Sequence, residues 1–221
     1  MKSGPSAYTV LGTREVVTEI EIKRSIFRAH LRRVGDEDGA RELVAELRRT
    51  HHDARHHCSA FVLGPGRDVQ RSNDDGEPAG TAGIPMLEAL TKRITPEGQA
   101  DLSDVCAVVV RWFGGIKLGA GGLVRAYTEA VTTALDAAPL VRRVRSRLFT
   151  LDLGYPELGT LEAQLRNALT VADVAYGPES ARLTLSVPDA DDAIAEAVRT
   201  VAALTAGAYA LTEAGTTWQD T

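Results

Sequence analysis

Apolar and polar residues alternate from position 16, with Val16, Thr18, Ile20 and Ile22 set against Val17, Glu19, Glu21 and Lys23. That period of two predicts a strand. Ser25 opens a second extended piece over 26–34, read as the same strand carried past a bulge. Turn and cap residues follow at 35–38, and Leu43, Val44 and Leu47 share one face of a helix predicted over 40–50. Short strands over 59–63 and 69–71 flank the turn Gly64-Pro65-Gly66. A polar loop occupies 72–83, and a helix is predicted over 84–94 with Pro85 in its first turn. Residues 105–110 form a continuous apolar run of strand length. Beyond it Leu123, Ala126, Tyr127, Ala130, Val131 and Ala134 recur at helical spacing up to Leu135. Residues 1–9 read as a loose arm.

After Pro139, basic and apolar residues alternate over 141–153, a connector leading into a strand. A helix over 158–169, strands over 171–176 and 181–187, a helix through 204 and a strand over 208–211 follow. Strand, helix, strand, strand, helix, strand is the split βαβ order of a ferredoxin-like domain. The expected organisation is a first domain over 1–140, a second over 143–213 and a frayed tail over 214–221. The fold class is α+β.

A length of 221 residues suits one large or two small domains, and 44% hydrophobic with 25% charged residues is ordinary for a globular chain. The net charge of −5 argues against a nucleic-acid binder that uses its whole surface. Up to residue 140 there are 18 basic and 19 acidic residues, against 7 and 11 afterwards, so a local polyanion site is expected in the first domain. Cys58 and Cys106 both lie in apolar runs, as buried free thiols in a reducing cytosol would. No leader sequence or apolar run of spanning length is visible, and the chain reads as cytoplasmic with no membrane partner.

The densest chemistry is the strand–loop–helix stretch over 111–127 (RWFGGIKLGAGGLVRAY). Glycine allows close approach to the backbone, and a helix start offers unpaired N–H groups and the positive end of its dipole. Gly115, Gly119, Gly121 and Gly122, with Arg111, Lys117 and Arg125, therefore form a candidate anion cradle, and His56 is a candidate for the same cleft. Tight backbone packing would account for the glycines equally well. Four of the five histidines fall within 51–58, beside Cys58. Their side chains can ligate zinc, but the single short cluster suits a cleft lining or a helix cap better. Asp74, Asp75 and Glu77, with Thr81, form an acidic loop that could hold Mg²⁺, act as acid and base, or cap the next helix. Trp112, Phe113 and Tyr127 flank basic residues, as base stacking would need, although burial explains them too. No nucleophile elbow accompanies any serine. No catalytic residue, resident metal or cofactor is assigned.

Residues 111–127 closely resemble the hallmark motif of the YigZ/IMPACT family. Residues 74–83 (DDGEPAGTAG) resemble its second motif, and 21–27 and 51–58 are similar to its two earlier ones, with His57 standing where asparagine is expected. The resemblance implies a two-layer α/β first domain like domain 2 of ribosomal protein S5. It implies a second, ferredoxin-like domain similar to the C-terminal domain of elongation factor G. Eukaryotic relatives regulate translation through a further N-terminal domain not found in these 221 residues, so that activity is not carried over. What is carried over is an expectation: a regulator in translation or stress that binds RNA, the ribosome or a translation-associated protein, with no specificity for DNA. The alternative is an enzyme acting on a small phosphorylated or nucleotide-like ligand through the acidic loop.

Overall fold

The computed structural model describes residues 4–221. In chain order the elements are β1 (Ala7–Leu11), β2 (Glu15–Ile22), β3 (Ser25–Arg33), α1 (Glu37–Thr50), β4 (His56–Leu63), β5 (Val69–Asn73), α2 (Gly83–Thr91), β6 (Val105–Trp112) and α3 (Ala120–Ala137). Then follow β7 (Leu140–Gly154), α4 (Tyr155–Ala168), β8 (Thr170–Tyr176), β9 (Ser180–Pro188), α5 (Asp191–Leu204) and β10 (Thr212–Asp220). The chain divides into two units between Arg142 and Arg143.

The first unit is built on an antiparallel sheet of order β2-β3-β6-β4-β5. β6 is its centre, which explains the uninterrupted apolar run: a strand with both faces covered has no polar side. Cys106, Val108 and Val110 pack under Leu43 and Leu47 of α1. Val105, Ala107 and Val109 face the opposite way, onto Met86 and Leu90 of α2 and Tyr127, Ala130 and Val131 of α3. The expected two layers therefore become three, because α1 crosses to the other face of the sheet.

Two further expectations are corrected in this unit. The bulged strand over 16–34 is a hairpin of two strands, in register from Glu15↔Arg32 to Ile22↔Ser25. Its turn residues Lys23 and Arg24 both take positive φ, +48° and +64°, the geometry of a tight turn that usually employs asparagine and glycine. Without those residues the turn left no signal in the sequence. The arm over 1–9 is not loose from Ala7 onward, since Thr9 is buried in β1 and its N–H donates to the Asp101 carbonyl.

The second unit forms an antiparallel sheet of order β10-β7-β9-β8. Both helices cover one face, with Leu161 and Leu165 of α4 and Val201 of α5 packed on Leu151, Leu153, Leu183 and Leu185. The predicted last strand over 208–211 is displaced to Thr212–Asp220, so most of the expected tail is β10. β10 pairs with β7 from Thr212↔Thr150 to Asp220↔Arg143. Its sequence, TEAGTTWQD, has little apolar alternation, and the ladder is held by backbone bonds and by pairs such as Arg147–Glu213. Among the described residues no helix is long and apolar enough to cross a membrane.

Candidate functional site

Sheet register brings the site together. Arg111, near the end of β6, stands opposite Phe27 on β3 and His56 on β4. The Arg111 guanidinium lies 5.2 Å from the Phe27 ring centre and 5.7 Å from that of Phe113. Its Nη1 donates to Glu77 Oε1 at 2.5 Å, within a pair whose side chains are only 6% and 4% exposed. The Tyr127 hydroxyl, arriving from α3, donates to the same oxygen at 2.8 Å. Cys58 Sγ donates to the Asp74 carbonyl at 3.0 Å and approaches the Tyr127 oxygen at 3.3 Å. Ser25 Oγ accepts from the Gly114 N–H at 3.2 Å and from Arg111 Nη2 at 3.4 Å. One connected network thus joins the hairpin, β4, the acidic loop, β6 and α3.

Burial sets the chemistry of this network. It pushes the Cys58 thiol up to about 12 and raises the Tyr127 hydroxyl further still, so both remain protonated donors at neutral pH. Gly114 is obligatory here: a Cβ at that position would lie 2.0 Å from the Arg24 carbonyl carbon. The glycine lets the loop close down on the Lys23–Arg24 turn.

The acidic loop is occupied with structural work. Asp74 accepts from the Gly80, Ala82 and Gly83 N–H groups and so caps α2 from a distance. Burial alone would raise its pKa, but those backbone donors outweigh it and hold the carboxyl below the usual range. Asp75 and Gly76, at φ +44° and +82°, make a tight Asp-Gly turn closed by the Glu77 N–H to Asp74 O bond. Asp75 pairs with Arg48 at 2.6 Å and accepts from the His57 N–H. Thr81 Oγ1 donates to the Pro78 carbonyl.

Above the network lies a cleft of about 430 Å³. Of the residues expected from sequence, it gathers His56, Glu77, Arg111, Lys117 and Gly119. It also gathers Arg55, which sequence reasoning missed although it sits inside the histidine cluster, along with the half-exposed ring of Phe113. The side chains of Arg55 and Lys117 have no ion-pair or hydrogen-bond partner among the described residues. His56 Nδ1 is 2.8 Å from the Asp75 carbonyl, where its N–H donates. The start of α3 has Gly119 as N-cap, no side-chain cap and no acid in its first turn, so its orphan N–H groups are not answered by an anion of the protein itself.

Other expected residues lie elsewhere. Arg125 folds back on its own helix, with Nε donating to the Gly121 carbonyl. Gly121 belongs to the first turn of α3, Gly122 abuts Leu118, and Gly115 is a positive-φ turn residue at +85°. Asp74, Asp75 and Thr81 serve the loop, as above. Of the network's other members, Ser25 was visible in sequence only as a strand start within a motif, whereas Tyr127, expected either to stack on a base or to be buried, is buried. Trp112 is half-buried, with Arg28 over its ring, the His51 edge against it and Nε1 donating to Asp53. The basic run on β7 is spent on ion pairs, Arg142 with Asp101, Arg143 with Asp220, and Arg145 and Arg147 with Asp189. A larger groove of about 660 Å³ between α1 and β5 has Arg41, Arg48 and Arg71 in its lining, each facing an acid. Among the described residues no group of three or more His, Cys, Asp or Glu is placed to hold a metal ion.

The network spans Ser25 to Tyr127, and a model of the Impact N-terminal domain matches residues 23–135. The chain belongs to the IMPACT family. It is 47% identical over 150 residues to the IMPACT family member YvyE of Bacillus subtilis, covering 68% of this chain and 66% of that protein. It is 42% identical over 147 residues to the IMPACT family member YigZ of Escherichia coli, covering 66% and 69%. The match therefore spans about two thirds of the length of these relatives. An IMPACT family member of Thermus thermophilus is 36% identical over 167 residues, covering 76% of this chain and 86% of that protein. A crystal structure described as that of a hypothetical protein aligns with a TM-score of 0.64 and 34% identity over 94% of this chain and 97% of that one.

Proposed function

We propose that this IMPACT family protein is a cytoplasmic RNA-binding module that acts on the ribosome, as a regulator in translation and stress. The observation that carries the reading is the pairing of two unneutralised cations, Arg55 and Lys117, with the uncapped start of α3 around one cleft. Cations and a helix start are complementary to phosphate. The half-exposed Phe113 ring beside them offers a stacking surface of the kind single-stranded RNA uses. A single local site also agrees with a chain whose overall charge is negative.

The domain types accord with it. The order β10-β7-β9-β8, with all neighbours antiparallel and both helices on one face, supports a ferredoxin-like second domain like that at the end of elongation factor G. The first unit is taken as a ribosomal protein S5 domain 2-like core with α1 added on the opposite face. The enzyme reading is the weaker one, because Asp74 and Asp75 are committed to α2, Arg48 and the His57 backbone. Fold likeness alone does not assign function.

Co-sedimentation with ribosomes at two salt concentrations tests the proposal. The native chain should pellet with ribosomes at low salt and less at high salt. Arg55→Ala/Lys117→Ala should abolish pelleting, whereas Arg125→Ala should leave it nearly unchanged. Undiminished pelleting of the double variant would remove the cleft from the interaction.

A further inference from the structure

We infer that the cleft takes a 5′-phosphorylated ribonucleotide, its phosphate at Arg55, Lys117 and the start of α3 and its ribose 2′-hydroxyl donating to Glu77 Oε2. This rests on the RNA reading above and narrows it from a strand in general to the phosphorylated end of one, or to a free nucleotide of the same chemistry.

The charge balance selects a terminal phosphate. Arg111 is already neutralised by Glu77, which leaves Arg55 and Lys117 as the cations on offer. A phosphodiester inside a strand carries one negative charge. A phosphate monoester carries about −1.5 to −2 at neutral pH and so answers both cations.

Glu77 supplies the second, independent observation. Its side chain is 96% buried by its 4% exposure, yet it lines the cleft. Oε1 receives both Arg111 and Tyr127. Among the described residues Oε2 has no hydrogen-bond partner, and Glu77 is part of the cleft lining. An ionised carboxylate only accepts. A group that meets it directly donates, and the dianionic form of the phosphate has nothing to donate. A hydroxyl or N–H on the ligand beside its phosphate would supply that donor, and in RNA the 2′-hydroxyl is the donor that DNA lacks.

Size and stacking agree. The cleft volume of about 430 Å³ falls in the lower part of the small-ligand range, roughly 300–1,000 Å³. That scale suits a single nucleotide rather than a duplex. The Arg111 guanidinium sits 5.7 Å from the Phe113 ring centre, and the 46% exposure of Phe113 leaves surface for a base.

Calorimetric titration of the full chain provides the test, with AMP, deoxy-AMP, adenosine and a short oligoadenylate RNA with or without its 5′-phosphate as probes. Removing the 5′-phosphate should weaken binding by about tenfold or more, since charge-assisted hydrogen bonds are lost. Removing the 2′-hydroxyl should weaken it by roughly fivefold. This comparison reads Glu77 in the unaltered protein, so it does not depend on a Glu77 variant that fails to fold. Arg55→Ala/Lys117→Ala should erase the 5′-phosphate preference. If both forms of the RNA bind equally, or ribose and deoxyribose bind equally, the inference is overturned while RNA binding itself stands. Binding of AMP without binding of RNA would uphold this inference and sink the RNA reading. Binding of none of the probes would overturn both.

Discussion

Replacing Glu77 by Ala would strand the Arg111 guanidinium in a site where its side chain is only 6% exposed. Breaking a buried pair from one side costs about 3–5 kcal/mol, whereas replacing both partners by apolar groups is often close to neutral. Urea denaturation should therefore show a large loss for Glu77→Ala and a substantial recovery in Glu77→Leu/Arg111→Met. A loss below about 1 kcal/mol in the single variant would contradict the buried pairing. The thiols make a second prediction. Burial pushes Cys58 and Cys106 both up to about 12, and the thiolate is the nucleophile. An alkylating reagent at pH 8 should leave the native chain unlabelled and modify both cysteines after denaturation; rapid labelling of the native protein would refute their burial.

Among the elements, α2 is capped from outside its own helix. Its N-cap Ala82 offers no side-chain acceptor, and Asp74 supplies the oxygens from across the loop. Asp74→Ala should lower stability by about 1–2 kcal/mol, the range of a lost cap, and should speed amide exchange at Gly80, Ala82 and Gly83. Unchanged exchange there would show that the cap is dispensable. This long-range cap also marks the boundary of what sequence reveals. The periodic elements, such as the run over 105–110 and the spacing from Leu123 to Leu135, were legible because burial writes itself as apolar period. The turn at Lys23–Arg24 and strand β10 were not, because their conformations are imposed by register and backbone pairing rather than by residue preference. Within the site, Lys117 and His56 were legible from their motifs, whereas Arg55 and the divergence of Arg125 depend on which way a side chain leaves its element. The destination of Asp74 was open in the sequence for the same reason: capping and metal binding use the same carboxylate.

At the scale of the whole molecule, two histidines set an acid limit. Burial lowers the pKa of both His30 and His57 below the ordinary histidine value of about 6.5. Between the lowered values and about 6.5 the unfolded chain takes up protons that the folded chain refuses, so stability is lost as pH falls through that window. It becomes insensitive to these groups below both folded values. A second loss follows in the carboxylate range, where Asp189, held low chiefly by its hydrogen bond from Arg147, and Asp74 must be protonated. Thermal melts from pH 8 to pH 5 should show a falling midpoint, and His57→Gln should flatten the fall. A midpoint that rises on acidification would reverse the sign and exclude buried neutral histidines.

The position of β6 has a consequence for synthesis. It is the central strand of its sheet, flanked by β3 and β4, yet it is the last of the five to leave the ribosome. Until it emerges, the hairpins β2–β3 and β4–β5 have no shared partner, and the inner edges of β3 and β4 stay open to other strands. The nascent chain thus carries two exposed sheet edges through much of its translation, the interval in which a chaperone has most to protect.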